Sequence, residues 1–179
     1  MVYVFFADGF EEIEAVTIVD VLRRGGVDVA TVGIGSRSIT GTHGLRIETD
    51  IADTEAADEG IEMIVLPGGQ PGTDNLGRSA TVARLIGECM AAEKWVAAIC
   101  AAPMVLGQAG VLQGRRAVCY PGCEGALTGA QLSGDNVVRD GNIITSKGPG
   151  TAMEFALALL MALKGETAAA EVAAGMLLA

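Results

Sequence analysis

The chain is poor in the residues that several functional classes require. It carries one histidine, His43, and 12 basic against 22 acidic side chains, a formal net charge of -10. Its only basic clusters are the pairs Arg23-Arg24 and Arg115-Arg116. Nucleic-acid binding gains from counterion release at a basic face, which this balance does not offer, and that class is set aside. The longest apolar run, Phe155 to Leu163, has nine residues and stops at Lys164. A bilayer span needs roughly 20. The opening MVYVFFADG lacks a basic n-region and a small-residue cleavage site, so it reads as a strand and not as a signal peptide. The expectation is a cytoplasmic protein with neither membrane nor nucleic-acid partners.

Cofactor signatures are missing as well. No GxGxxG follows the first apolar run and no GxxxxGK[ST] occurs, so no nucleotide cofactor is expected. The four cysteines, Cys89, Cys100, Cys119 and Cys123, in a chain without an export signal argue for reduced thiols. Only Cys119 and Cys123 lie close in sequence, and with a single histidine the four ligands of a structural zinc site are not supplied. No metal is expected.

What is present is apolar residues, half of the chain, spread in short runs. At 179 residues this suits a single domain over residues 1–179, burying about two thirds of its unfolded surface. Val2 to Phe6 is a continuous apolar run, as in a strand buried on both faces. Glu11, Glu12 and Glu14 open a helix where acidic groups favour the positive dipole end, and Ala15, Ile18, Val19 and Leu22 form its apolar stripe. Arg23-Arg24 and Gly25-Gly26 close that helix, and Val27 to Ile34 is the next strand.

Further along, residues 38–40 and 45–48 suggest a small hairpin, and 61–66 a buried strand before the turn-rich PGGQPGTDNLG. Helices are expected over 81–92, 101–108, 151–164 and 167–178, and strands over 95–99, 118–120, 136–139 and 143–145. The last two strands join at Asp140-Gly141. Alternating strands and helices predict an α/β, flavodoxin-like three-layer sandwich: a mostly parallel sheet with helices on both faces.

The sharpest chemical feature is WVAAICAAPMVLG, residues 95–107. An apolar strand ends in Cys100, and small residues lead directly into a helix. Such a turn holds its central residue in a strained conformation that only small neighbours such as Ala101 and Ala102 permit. Facing a helix N-terminus, the thiol should have a lowered pKa. On pattern alone a buried structural cysteine remains an equal alternative.

Three further stretches bear on that choice. Glu14 sits beside the buried stripe of a helix that starts at the same sheet edge as Cys100. If the two groups meet they share a proton. Pro67-Gly68-Gly69 follows a strand and could aim N–H groups at an oxyanion. SKGPGT, residues 146–151, could form an anion-accepting nest.

At these residues the chain resembles the ThiJ/PfpI superfamily (related to the class I glutamine amidotransferases), and within it the DJ-1 branch of Parkinsonism-associated deglycases. The resemblance runs almost end to end through ADGFEEIEAVTIVDVLRRGG, IVLPGG, AAICAAP and TSKGPGT, in the family's order and spacing. It implies that Cys100 is the reactive elbow cysteine, Glu14 its carboxyl partner, and Gly69 and Ala101 the oxyanion N–H donors, with Gly68, Tyr120, His43 and Lys147 around the pocket. Tyr120-Pro121 stands where some members have His-Pro, His43 and Lys147 stand where arginine is frequent, and Ala101 replaces the histidine of PfpI-type proteases. Peptidase activity is therefore disfavoured.

The implied function is a cofactor-independent, glyoxalase III-like conversion of 2-oxoaldehydes such as methylglyoxal to hydroxyacids, with deglycase-type activity on their adducts. A redox sensor acting through oxidation of Cys100 is the alternative, and a chaperone-like homodimer a third. The resemblance also implies a homodimer that uses the first helix.

Overall fold

The computed structural model describes residues 1–178. In chain order the elements are β1 (Val2–Phe6), α1 (Glu12–Arg24), β2 (Val29–Gly33), β3 (Ser38–Thr40), β4 (Arg46–Glu48), β5 (Ile51–Ala52), β6 (Met63–Leu66), α2 (Gly72–Arg78) and α3 (Ala80–Ala91). There follow β7 (Trp95–Ile99), α4 (Pro103–Gln108), β8 (Arg116–Ala117), β9 (Gln131–Leu132), β10 (Val137–Asp140), β11 (Ile143–Ser146), α5 (Ala152–Lys164) and α6 (Glu166–Gly175). Seven strands form the central sheet in the order β10-β11-β7-β6-β1-β2-β5. Every pairing is parallel except β10 with β11.

The central strands are apolar throughout because each side of the sheet has its own core. Val2, Val4 and Phe6 of β1 face a cluster that includes Ile18 and Leu22 of α1 and Phe155 and Leu159 of α5. Tyr3 and Phe5 face a second cluster with Leu85 of α3 and Leu106 of α4. The same alternation continues through β6 and β7, where Met63, Val65, Ala97 and Ile99 face one way and Ile64, Leu66, Val96 and Ala98 the other. Each large side chain so buried contributes about 1.5–3 kcal/mol. This is the three-layer α/β architecture expected, and its βα turns lie at the carboxyl edge of the sheet, where ligands collect.

Four local readings change. PGGQPGTDNLG is not all turn, since α2 begins at Gly72, with Asn75 Nδ2 donating to the Asp8 carbonyl and Leu76 buried. The strand expected over 118–120 is displaced to β8, which pairs in parallel with β9 in a separate two-stranded sheet. Beyond it Val118 N–H donates to Thr145 Oγ1 and Tyr120 N–H to the Cys100 carbonyl, so a hydroxyl and an elbow carbonyl replace ladder partners. The short β5, unexpected from sequence, adds to β2. The last helix ends at Gly175, and Leu177 two residues on has a positive φ of 59°. The 38–40/46–48 hairpin and the Asp140-Gly141 hairpin form as expected.

Candidate active site

Cys100 ends β7 with φ at +66°, a left-handed conformation for a residue with a side chain. Such a residue costs on the order of 1–3 kcal/mol and persists only where its surroundings hold it. They do so here from both sides. Its N–H donates to the Ser146 carbonyl at 2.9 Å and its carbonyl accepts from Tyr120 N–H at 2.7 Å. Ala102 N–H closes the turn on the Ile99 carbonyl at 3.0 Å. Cys100 is 8 % exposed, so the sulfur is sheltered without being sealed off.

Glu14 reaches the same point from α1. Glu11 caps that helix, its Oε2 accepting from Glu14 N–H at 2.8 Å, and this fixes where the first turn begins. The Glu14 side chain is fully buried. Its Oε2 accepts from Gly68 N–H at 2.7 Å, its Oε1 has no hydrogen-bond partner, and the carboxyl lies close enough to the Cys100 thiol for each to shift the other's titration. Gly68 has to be glycine: a Cβ there would lie 2.5 Å from the Cys100 Cβ and 2.9 Å from Glu14 Oε2. Its carbonyl also accepts from Glu11 N–H at 2.9 Å, so this one residue ties α1 to the loop beside the elbow.

The Ala101 and Gly69 N–H groups bear on the Cys100 thiol and favour its anion, while the Gly68 N–H is committed to Glu14. Burial pushes Glu14 up to about 7, against the Gly68 and Cys100 hydrogen bonds, and the charge of Glu11 adds to the rise. Burial also pushes Cys100 up to about 12, with the Glu14 charge and hydrogen bond adding to it.

The expectation of a lowered thiol is therefore reversed. The Ala101 and Gly69 N–H groups offset only part of the desolvation, and α4 adds nothing more, because Ala102 N–H is spent on Ile99 and Pro103 has none. The two acids titrate as a pair that resists double ionisation. Glu14 is the stronger acid of the two, so in the singly charged pair the charge rests on the carboxylate and Cys100 keeps its proton.

The remaining pocket residues divide. Tyr120 is half exposed and its ring lies against Gly148: a Cβ on Gly148 would be 3.2 Å from Tyr120 Cδ2 and 4.0 Å from Cys100 Sγ. Tyr120 therefore walls the mouth of the site. His43 does not line it directly. Its Nδ1 pairs with Glu12 Oε2 at 2.8 Å and its side chain is 73 % exposed. Lys147 points its Nζ at Gly134 O, 2.5 Å away, and at Asn136 Oδ1, bracing the loop before β10. Three N–H groups of the SKGPGT loop are already spent, Lys147 on Asn136 O outside the loop, Gly148 on Thr151 Oγ1 and Thr151 on Gly148 O, so these three are not offered to an anion.

Ser146, whose carbonyl holds the Cys100 N–H, was missed as a site residue. It stands directly opposite Ile99 on the neighbouring strand, one residue before the elbow, and no sequence motif signals that pairing. Among the described residues one trio, Glu11, Glu12 and His43, brings metal-type ligand atoms within 4.8 Å of one another. Glu11 is already occupied in capping α1 and Glu12 in holding the His43 loop.

Fold and elbow together define a class: α/β proteins of flavodoxin-like architecture with a cysteine at a strand-to-helix turn and a carboxyl group against it. Within that class the chain belongs to the DJ-1/PfpI family, whose model matches residues 1–162, and to its DJ-1 branch. It is 38 % identical to protein dj-1beta of Drosophila melanogaster over 179 residues, 98 % of this chain and 96 % of that one. The crystal structure of that protein superposes with a TM-score of 0.96, covering 99 % and 97 % of the two chains. An oxidized DJ-1 from Toxoplasma gondii, 35 % identical, also gives 0.96 over 99 % and 98 %. A glutathione-independent glyoxalase, DJR-1.2 of Caenorhabditis elegans, is 36 % identical over 157 residues, 87 % of this chain and 83 % of that one.

Proposed function

We propose that this protein converts methylglyoxal-type 2-oxoaldehydes to hydroxyacids without a cofactor, Cys100 acting as nucleophile and Glu14 as proton shuttle. The observation that carries this reading is the fully buried Glu14 carboxyl set against the Cys100 thiol, at an elbow held in a left-handed conformation. The glyoxalase among the relatives supports it. The Cys100 proton passes to Glu14, the thiolate adds to the aldehyde carbon, and Glu14 returns that proton to the adduct oxygen, which gives a hemithioacetal and a free carboxylate. Its C1 proton moves to C2 through an enediol with Glu14 as carrier, which oxidises C1 and reduces C2 within one molecule. The product is a thioester of the hydroxyacid, and water cleaves it to release the acid and restore the thiol. In this reading the Gly69 and Ala101 N–H groups stabilise the oxyanion on the adjacent carbon.

The same site could act on the adducts that such aldehydes form with amines, giving deglycase-type activity. The test is turnover of methylglyoxal by purified protein without glutathione. Activity in the wild type and its loss in Cys100→Ser are expected. Equal rates for the two would overturn the reading. A second reading, a redox sensor, follows from the same partly accessible thiol. It predicts that mild peroxide adds mass at Cys100, and oxidation confined to Cys89 or Cys123 would refute it.

The protein is further proposed to be a homodimer. Ile13 and Val16 of α1 are exposed, and a monomer by light scattering at micromolar concentration would contradict this. Among the described residues no helix is long and apolar enough to cross a membrane.

A further inference from the structure

Tyr120 stands beside the elbow on a fixed base. Its N–H donates to the Cys100 carbonyl at 2.7 Å and its carbonyl accepts from Cys123 N–H at 3.0 Å. Pro121 restrains the chain immediately after it. The backbone is therefore tied to the elbow, while the side chain is half exposed and open to a ligand.

Gly148 keeps a space between that ring and the sulfur. Its φ of 166° is extended backbone that any residue adopts, so the backbone angle does not call for glycine. What glycine supplies is room. A carbon at the Cβ position would lie 3.2 Å from Tyr120 Cδ2, 3.6 Å from Tyr120 Cε2 and 4.0 Å from Cys100 Sγ. One carbon group there touches the ring and the sulfur together, so whatever is attached to the sulfur is brought against an aromatic edge.

The cations expected around the pocket are engaged elsewhere. Lys147 Nζ is held by Gly134 O and Asn136 Oδ1, and His43 Nδ1 by Glu12 Oε2. The ionisable group that does stand at the sulfur is the Glu14 carboxyl, from which an anionic tail gains nothing.

We propose that Tyr120 and Gly148 form a subsite for the substituent of the 2-oxoaldehyde, and that this subsite favours a neutral aryl group, as in phenylglyoxal. The subsite presupposes the reaction proposed above. Bonding of the sulfur to the aldehyde carbon leaves the substituent on the next carbon, which carries an aryl ring outward along Tyr120. Rings meet favourably in offset or edge-on contact, and the half-exposed Tyr120 admits such a contact without moving core side chains.

Two readouts on the purified full chain test this. The first is the kcat/KM for phenylglyoxal divided by that for methylglyoxal, without glutathione. It should fall about three- to tenfold from wild type to Tyr120→Ala, and Tyr120→Phe should keep the wild-type ratio. The same ring bearing a charge, 4-carboxyphenylglyoxal, should have a kcat/KM about threefold below that of phenylglyoxal or lower still. The second readout needs no turnover: the rate of Cys100 labelling by N-phenyliodoacetamide divided by that by iodoacetamide, followed by mass spectrometry. It should fall in Tyr120→Ala by a similar factor. Ratios cancel the reagents' own reactivity and any general effect of the substitution. Methylglyoxal turnover with an aldehyde ratio that Tyr120→Ala leaves unchanged overturns the subsite and spares the reaction. A labelling ratio unmoved by Tyr120→Ala overturns it as well, and so does a preference lost in Tyr120→Phe. Equal use of the charged ring overturns the neutral preference. No turnover of any aldehyde overturns the reaction and the substrate assignment together.

Discussion

Glu12 and Glu14 lie two residues apart in the first turn of α1, and their fates are opposite. Glu12 turns outward to His43 and the backbone of its loop, and those hydrogen bonds hold its carboxyl below the usual range despite some desolvation. Glu14 turns inward, loses its water, and is raised to about 7 with a single backbone donor and a thiol for company. Residue type and helix position are nearly the same. What differs is which way the side chain leaves the helix and what it meets there. The lesson is that isolation raises a carboxyl group towards neutrality, whereas partners hold it charged.

The comparison breaks or sharpens at several points. The largest effect is expected for Cys100→Ser, which should reduce methylglyoxal turnover by about 10³-fold or more. Glu14→Gln keeps the shape and the Gly68 contact but carries no proton, and kcat should fall by about 10²- to 10⁴-fold. Both are measured by steady-state kinetics, and a Glu14→Gln enzyme near wild-type rate would remove the distinction between the two glutamates.

The pH dependence follows with its sign. A raised carboxyl binds its proton more tightly in the folded state, so its favourable contribution is complete below about 4.5 and is lost as pH rises through about 7. The wild type should therefore lose about 3 kcal/mol relative to Glu14→Gln across that window, read by urea denaturation at stepped pH. Gly68→Ala should destabilise by about 2 kcal/mol and slow iodoacetamide labelling of Cys100, because the added methyl displaces the elbow. The smallest effect is expected for His43→Ala. Turnover should stay within about twofold of wild type, since the ring is exposed and bonded away from the sulfur. A loss matching that of Glu14→Gln would place His43 in the chemistry after all.

The same contrast explains what could be read from the chain beforehand. The Cys100 elbow was visible because an apolar strand, a thiol and small residues follow one another without interruption. Glu14 was visible through its offset from the Ile18 stripe. Two things were hidden. The upward shift of the thiol depends on water removed by parts of the chain far away in sequence, and no local pattern reports that. The helix at 72–78 was hidden because Pro71, Gly72 and Gly77 suppress helix propensity, and it is tertiary contacts at Leu76 and Asn75 that secure it. The strand expected at 118–120 has the right composition, but the Thr145 hydroxyl and the Cys100 carbonyl intercept its donors.

The two margins of the central sheet carry a consequence for assembly. At one margin β5 is only two residues long, and the Arg37 guanidinium spans the neighbouring Thr49 and Asp50 carbonyls. At the other, β10 runs against its neighbour, and its last residue, Asp140, takes up the Arg116 amide and the Arg115 guanidinium. Neither margin presents a long open ladder of donors and acceptors for a foreign strand to continue. The proposed dimer is therefore expected to form without adding strands to the central sheet, which leaves the sulfur-bearing turn free to keep its shape.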